Sequence, residues 1–253
     1  MYKISDYPEI QNNFFLKGRN VGASKKLVGT VNLLTVFLKR GASDWQQEAK
    51  TRYYSAVSDA ADWIMREAKR YGADLTLRCF HLETAVPSDA SPKDGFSLVK
   101  GYFGRETMEE VQNHYQSSMK VDEVPVILAF NEAGRSFAFK KNTAQGYRTD
   151  EISVVFLEDS TDHDTAVTTI AHELLHQFGA VDYYFPKEVK QVAERYLAHS
   201  VMGVGYRTVD DLTAYLVGWK DTISANSYWF LKETVWMDEL TYREAKQKQW
   251  DQS

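Results

Sequence analysis

Apolar residues along this chain come in two rhythms, dense short runs and runs of helical period. Residues 31–38 (VNLLTVFL) are apolar and β-rich, which predicts a strand buried on both faces. Gly41, Ala42, Ser43 and Asp44 follow, with Ser43 or Asp44 placed to cap a helix. From 45 to 70 the apolar positions Tyr53, Ala56, Val57, Ala60, Trp63 and Ile64 recur at helical spacing, and Gly72 predicts the stop. Residues 74–82 (DLTLRCFHL) predict a second strand, parallel to the first across that helix. Pro87, Pro92, Gly95, Gly101 and Gly104 make 83–104 a long loop, of the kind that often carries function.

A weaker helix is expected over 106–119 and a third strand over 125–130 (PVILAF). After a turn at 131–134, residues 135–140 (RSFAFK) alternate polar and apolar, as an antiparallel edge strand does. Residues 151–157 (EISVVFL) predict a fifth strand, and Asp164 or Thr165 is placed to cap a helix over 166–178. Helices over 187–197 and 209–217 flank a turn at 202–206. The tail, with Trp219, Tyr228, Trp229, Phe230 and Trp236, is expected to pack back as a helix. Strands come first and helices last, so the expected fold is α/β (α+β), one domain over 1–253. It divides into an arm (1–26), a sheet-containing part (27–179) and a helical part (180–253).

Composition narrows the function classes. Hydrophobic residues are 43% and charged residues 26% of 253, the balance of a folded globular protein. A net charge of −5 without a Lys/Arg cluster argues against a nucleic-acid partner. Cys79 is the single cysteine, so no internal disulfide forms and a reducing compartment fits. Met1 to Asp6 lack an apolar signal core, and the apolar run 27–38 is too short and too interrupted to span a bilayer. The default expectation is therefore cytoplasmic with no membrane partner; export by a non-cleaved route stays open, as does the oligomeric state.

The chemistry lies at 172–176, His172-Glu173-Leu174-Leu175-His176. On a helix the i, i+4 spacing puts both imidazoles on one face, where they can share a zinc ion. Glu173, beside the first ligand, can take a proton from a zinc-bound water and pass it to a leaving amine. Gly179 stops the helix three residues later, and Asp182 is spaced to return as third ligand, completing HExxHxxGxxD. Glu194 and His199 are rival third ligands. Asp162, His163 and Asp164 suit a capping loop better than a second metal site. Cys79, His81 and His114 read as structural or surface residues.

HExxHxxGxx followed by a third ligand resembles the signature of the metzincin clan of zinc endopeptidases. Aspartate in third place, with Tyr183-Tyr184 after it, resembles the snapalysin-like branch. Ser200-Val201-Met202, 20 residues past Asp182, looks like the clan's Met-turn. The order of elements over 31–178 is also similar to the clan's mixed five-stranded sheet, with one antiparallel edge strand, a long helix and then the active-site helix. The resemblance implies zinc on His172, His176 and Asp182, Glu173 as general base, and Met202 as the floor. It also implies an edge strand (Arg135, Ser136, Phe137, Ala138, Phe139) that takes an extended peptide or protein substrate. Two departures matter. Val204 stands where some members have a zinc-reaching tyrosine, so either Tyr206 is the catalytic tyrosine that stabilises the oxyanion from a longer turn or no tyrosine does so, and no secretory leader is visible. A zinc hydrolase of another amide, such as peptidoglycan, and a non-catalytic metal-stabilised module are the alternatives.

Overall fold

The computed structural model describes residues 1–40, 45–139, 151–156, 163–203 and 208–250. The chain opens with a short helix α1 (Pro8–Gln11), then β1 (Gly29–Arg40), α2 (Gln47–Arg70) and β2 (Leu75–Val86). α3 (Lys100–Phe103), α4 (Met108–Met119), β3 (Val126–Phe130), β4 (Phe137–Ala138) and β5 (Ser153–Phe156) follow. The second half carries α5 (His163–Gln177), α6 (Lys187–Tyr196), α7 (Asp211–Leu216), α8 (Ala225–Glu233) and α9 (Glu239–Trp250). The strands form one five-stranded mixed sheet in the order β2-β1-β3-β5-β4. β1, β2, β3 and β5 run parallel, and β4 lies antiparallel on β5, pairing Phe137 with Val154 and Ala138 with Ser153.

β1 explains the sheet's position. Its middle eight residues are buried, because both of its faces are covered. Val31, Leu33 and Phe37 join Ile127, Ala129 and Val155 under α2 and α5. Leu34, Val36 and Leu38 join Val126, Leu128, Phe130 and Val154 on the other face. That second face is covered by Phe96, Val99, Met108 and Val111. The segment expected as a long loop over 83–104 is therefore largely built of short elements packed on the sheet. β2 runs on to Val86, and a 3₁₀ stretch (Pro92–Leu98), opened by a Ser91–Asp94 capping box, lays Phe96 onto the sheet.

The N-terminal arm is more than an irregular lead-in. Tyr2 bridges to Ile223, and the Asn13 side-chain amide donates to the Leu231 carbonyl at 2.7 Å. Trp219 Nε1 donates to the Leu27 carbonyl at 2.7 Å. These contacts bind the first 27 residues to the C-terminal helices, which α/β periodicity could not foretell. Helix starts also differ from expectation. α2 begins at Gln47 with Gln46 as its first flanking residue, while Ser43 and Asp44 lie outside the described residues. α5 begins at His163, so Asp164 and Thr165 fall inside its first turn rather than at its cap. No helix among the described residues is long and apolar enough to cross a membrane.

Candidate metal centre

α5 presses Ile170, Ala171, Leu174, Leu175 and Phe178 into the core shared with α2 and the sheet. Gln177, a polar residue in that apolar stretch, fixes the helix along the sheet. Its amide donates to the Val126 carbonyl at 3.0 Å and to Ser153 Oγ at 2.8 Å, and its carbonyl accepts from Val126 N–H at 3.3 Å. Ser153 Oγ in turn donates to the Glu173 carbonyl at 2.8 Å. The starts of β3 and β5 thus set where Glu173 and His176 stand.

The helix ends as Gly179 requires. Gly179 has φ 94°, its N–H donates to the His176 carbonyl at 3.0 Å, and Ala180 N–H donates back to Leu175 at 3.2 Å. Together these bonds form a Schellman stop. Gly179 has a second reason to be glycine. Its backbone crosses that of Gly18 so closely that a Cβ on either would strike the other's carbonyl oxygen.

Past this stop Asp182 comes back onto the two histidines. His172 Nε2 and His176 Nε2 lie 3.1 Å apart, and Asp182 Oδ1 is 3.1 Å from the first and 2.9 Å from the second. All three residues are buried. Both tautomers follow from the partners. His172 Nδ1 is 2.9 Å from the Val201 carbonyl and His176 Nδ1 2.9 Å from the Ala180 carbonyl. A carbonyl only accepts, so each Nδ1 carries the proton and each Nε2 turns a lone pair inward. Two lone pairs and a carboxylate oxygen converging in a buried site repel one another unless a cation lies between them. Donors of a tetrahedral zinc at ~2.0–2.1 Å stand roughly 3.3 Å apart, close to the spacings seen here. The donor set therefore fits a divalent metal, and His172, His176 and Asp182 are the group of this kind among the described residues. Burial alone would lower the His172 pKa. The Asp182 and Glu173 carboxylates outweigh it and raise the value, so protons compete with a metal for this site.

The turn at 200–203 supports the group from beneath. Besides the Val201 carbonyl on His172, the Met202 carbonyl accepts from Tyr183 N–H at 2.8 Å, and Met202 is fully buried. Ser200 Oγ donates to Asp210 Oδ2 at 2.5 Å, and Asp210 caps α7. Tyr206 and Val204 lie outside the described residues. Glu194 is half exposed on α6 beside Lys190, and His199 is exposed; neither belongs to the metal-competent group. Glu173 is buried on α5 next to His172.

The edge strand is shorter than its alternation suggests. Only Phe137–Ala138 form β4, although Ser136 Oγ accepts from Phe156 N–H at 3.2 Å and Phe139 N–H donates to Ile152 at 2.8 Å. Arg135 is exposed, Ser136 buried, and Phe137, Ala138 and Phe139 half-buried; Lys140 lies outside the described residues. β4 packs against α5, the helix that carries His172 and His176. Cys79 sits half-buried in β2 against the core, with its thiol pKa pushed up to about 11, by burial first and then by Asp62, as suits an unreactive thiol. His81 packs on Phe37 and Tyr54, and His114 lies on the surface beside Arg105. Asp162 lies outside the described residues.

One partner of the site was not foreseen. Tyr242, buried on α9, donates to Asp182 Oδ2 at 3.3 Å. It stands 60 residues past Asp182, and no local pattern marks it among the tail's other aromatics. Gln177 and Ser153 were likewise missed, although a glutamine directly after His176 on an apolar face was a usable signal.

No protein-family model matches this chain, and no curated protein matches it. Among solved structures it is similar to metalloproteinase-II from Bacteroides fragilis, at 13% identity and a TM-score of 0.37, over 91% of this chain and 60% of that one. The chain thus spans about three-fifths of that protein's length.

Proposed function

We propose that this protein is a zinc-dependent hydrolase of peptide bonds, an endopeptidase of metzincin type with aspartate as third ligand. The observation that carries this reading is the closed triangle of His172 Nε2, His176 Nε2 and Asp182 Oδ1, with both Nδ1 atoms held by backbone carbonyls. Held by His172, His176 and Asp182, zinc would supply Lewis acidity to a water and to a substrate carbonyl. Glu173, next to His172 on α5, would be the base that accepts a proton from water and returns it to the departing amine nitrogen. Three protein ligands among the described residues, rather than four, suit a catalytic site over a structural one. β4, at the end of the sheet and against α5, offers an extended peptide a place to add as a further strand. The turn through Met202 serves as the floor of the site.

Metal content by mass spectrometry and casein cleavage, followed together on wild type, Asp182→Ala and Glu173→Gln, test the reading. About one zinc per chain, lost in Asp182→Ala, is expected. Glu173→Gln should keep its zinc and lose cleavage by about 10²–10⁴-fold. Zinc retained by Asp182→Ala would remove Asp182 from the ligand set. Zinc without casein cleavage would move the substrate to a non-protein amide. Failure of the wild type to take up zinc would end the proposal.

A further inference from the structure

We infer that Tyr242 is a positioning residue for the metal site, holding Asp182 so that one carboxylate oxygen alone faces the histidines; this rests on the reading of His172, His176 and Asp182 as metal ligands. The two oxygens of Asp182 have different surroundings. Oδ1 lies 2.9–3.1 Å from the imidazole nitrogens, and Oδ2 lies 3.3 Å from the Tyr242 hydroxyl. A carboxylate only accepts, so the hydroxyl donates, and the bond resists rotation of the carboxylate about its own axis. Asp182 sits on a short connection after the Gly179 stop, not on a helix or strand. Its direction is therefore more open to rotation than those of His172 and His176, which α5 carries. A donor to the far oxygen resists that rotation and offsets part of the buried charge.

The hydroxyl is itself held in place. The Tyr242 ring lies between Phe14 and Phe185, with centroids 4.8 Å away in each case. Phe14 comes from the N-terminal arm and Phe185 from the segment just after Asp182. Three distant stretches thus converge on one phenol whose polar tip ends at the proposed third ligand. A tyrosine serving only as packing would not need its oxygen at this spot, and phenylalanine would fill the same space.

Zinc affinity, measured by competition with a chromophoric chelator on the full chain, tests the idea, with melting of the metal-free protein as control. Tyr242→Phe keeps the ring and removes the hydroxyl. It is expected to weaken zinc binding about 10-fold, within the range usual for a partner of a metal ligand, while the metal-free protein melts as the wild type does. Val111→Ala opens a cavity on the far face of the sheet, in the cluster that does not include Tyr242. It should lower the melting temperature and change zinc affinity less than twofold. Unchanged affinity in Tyr242→Phe would overturn the inference, as would an equal loss in Val111→Ala, which would assign the effect to general destabilisation. If the wild type itself binds no zinc, the metal reading falls first and the role of Tyr242 with it.

Discussion

Two buried glutamines approach the same strand from opposite faces of the sheet. Gln112 on α4 accepts from Val124 N–H at 2.8 Å and donates to the Val124 carbonyl at 3.0 Å and to Ser24 Oγ at 2.9 Å. Gln177 on α5 does the same to Val126, with Ser153 in place of Ser24. Each amide satisfies a backbone donor and acceptor that the sheet leaves open where β3 begins. The device is identical and its consequences differ, because only Gln177 is covalently next to a metal-site histidine. A side-chain staple of this kind is a folding element in itself; it gains functional weight from the helix it fastens.

The largest test of that contrast lies at the end of α5. Gly179→Ala should cost about 3 kcal/mol or more in urea unfolding, since alanine disfavours φ 94° and its Cβ would strike the Gly18 carbonyl. Zinc binding should fall with it, because the Asp182 connection starts there. Next, Gln177→Leu and Gln112→Leu should each cost about 1–3 kcal/mol by stranding a buried backbone pair. Only Gln177→Leu is expected to weaken zinc binding, by a few-fold. Equal zinc affinities in the two variants would erase the distinction drawn between the faces.

The smallest effect concerns Glu123, just before the residue that Gln112 grips. Burial raises its pKa from 4.5 to about 7, although its Oε1 accepts from Lys25 and Lys26 N–H. A carboxyl raised on folding contributes stability in full below pH 4.5 and loses it as pH rises to about 7. Glu123→Gln should flatten the stability profile across that window and leave the protein slightly more stable at pH 8, with zinc affinity unchanged. A profile as steep as the wild type's would show that another group titrates there.

The parts legible in the sequence are those with a local rhythm. β1 is a dense apolar run and α2 and α5 repeat at 3.6 over stretches long enough to be read, and HExxH with Gly179 is a local geometric statement. Alternation at 135–140 overstates the length of β4, because it describes a strand without saying how much of its partner is opposite. The 83–104 stretch read as a functional loop because proline and glycine hide the periodicity of Phe96 and Val99, whose burial depends on a sheet built elsewhere. Asp182 was readable from its spacing, whereas Tyr242 was not, since a bond across 60 residues leaves no periodic trace. The grip of the arm on α7–α9 was invisible for the same reason.

That grip bears on the order in which the site is completed. Phe14 touches Tyr242, Gly18 crosses Gly179, and the Asn13 amide reaches Thr234 across 221 positions of chain. Contacts so remote in sequence close large loops and are entropically late. The sheet and α5 can assemble from nearer contacts, but the connection bearing Asp182 reaches its final path only when the two ends of the chain meet around it. On the metal reading proposed above, full metal affinity would report that the last long-range contacts have formed, and a partly folded chain would hold two histidines without a settled third partner.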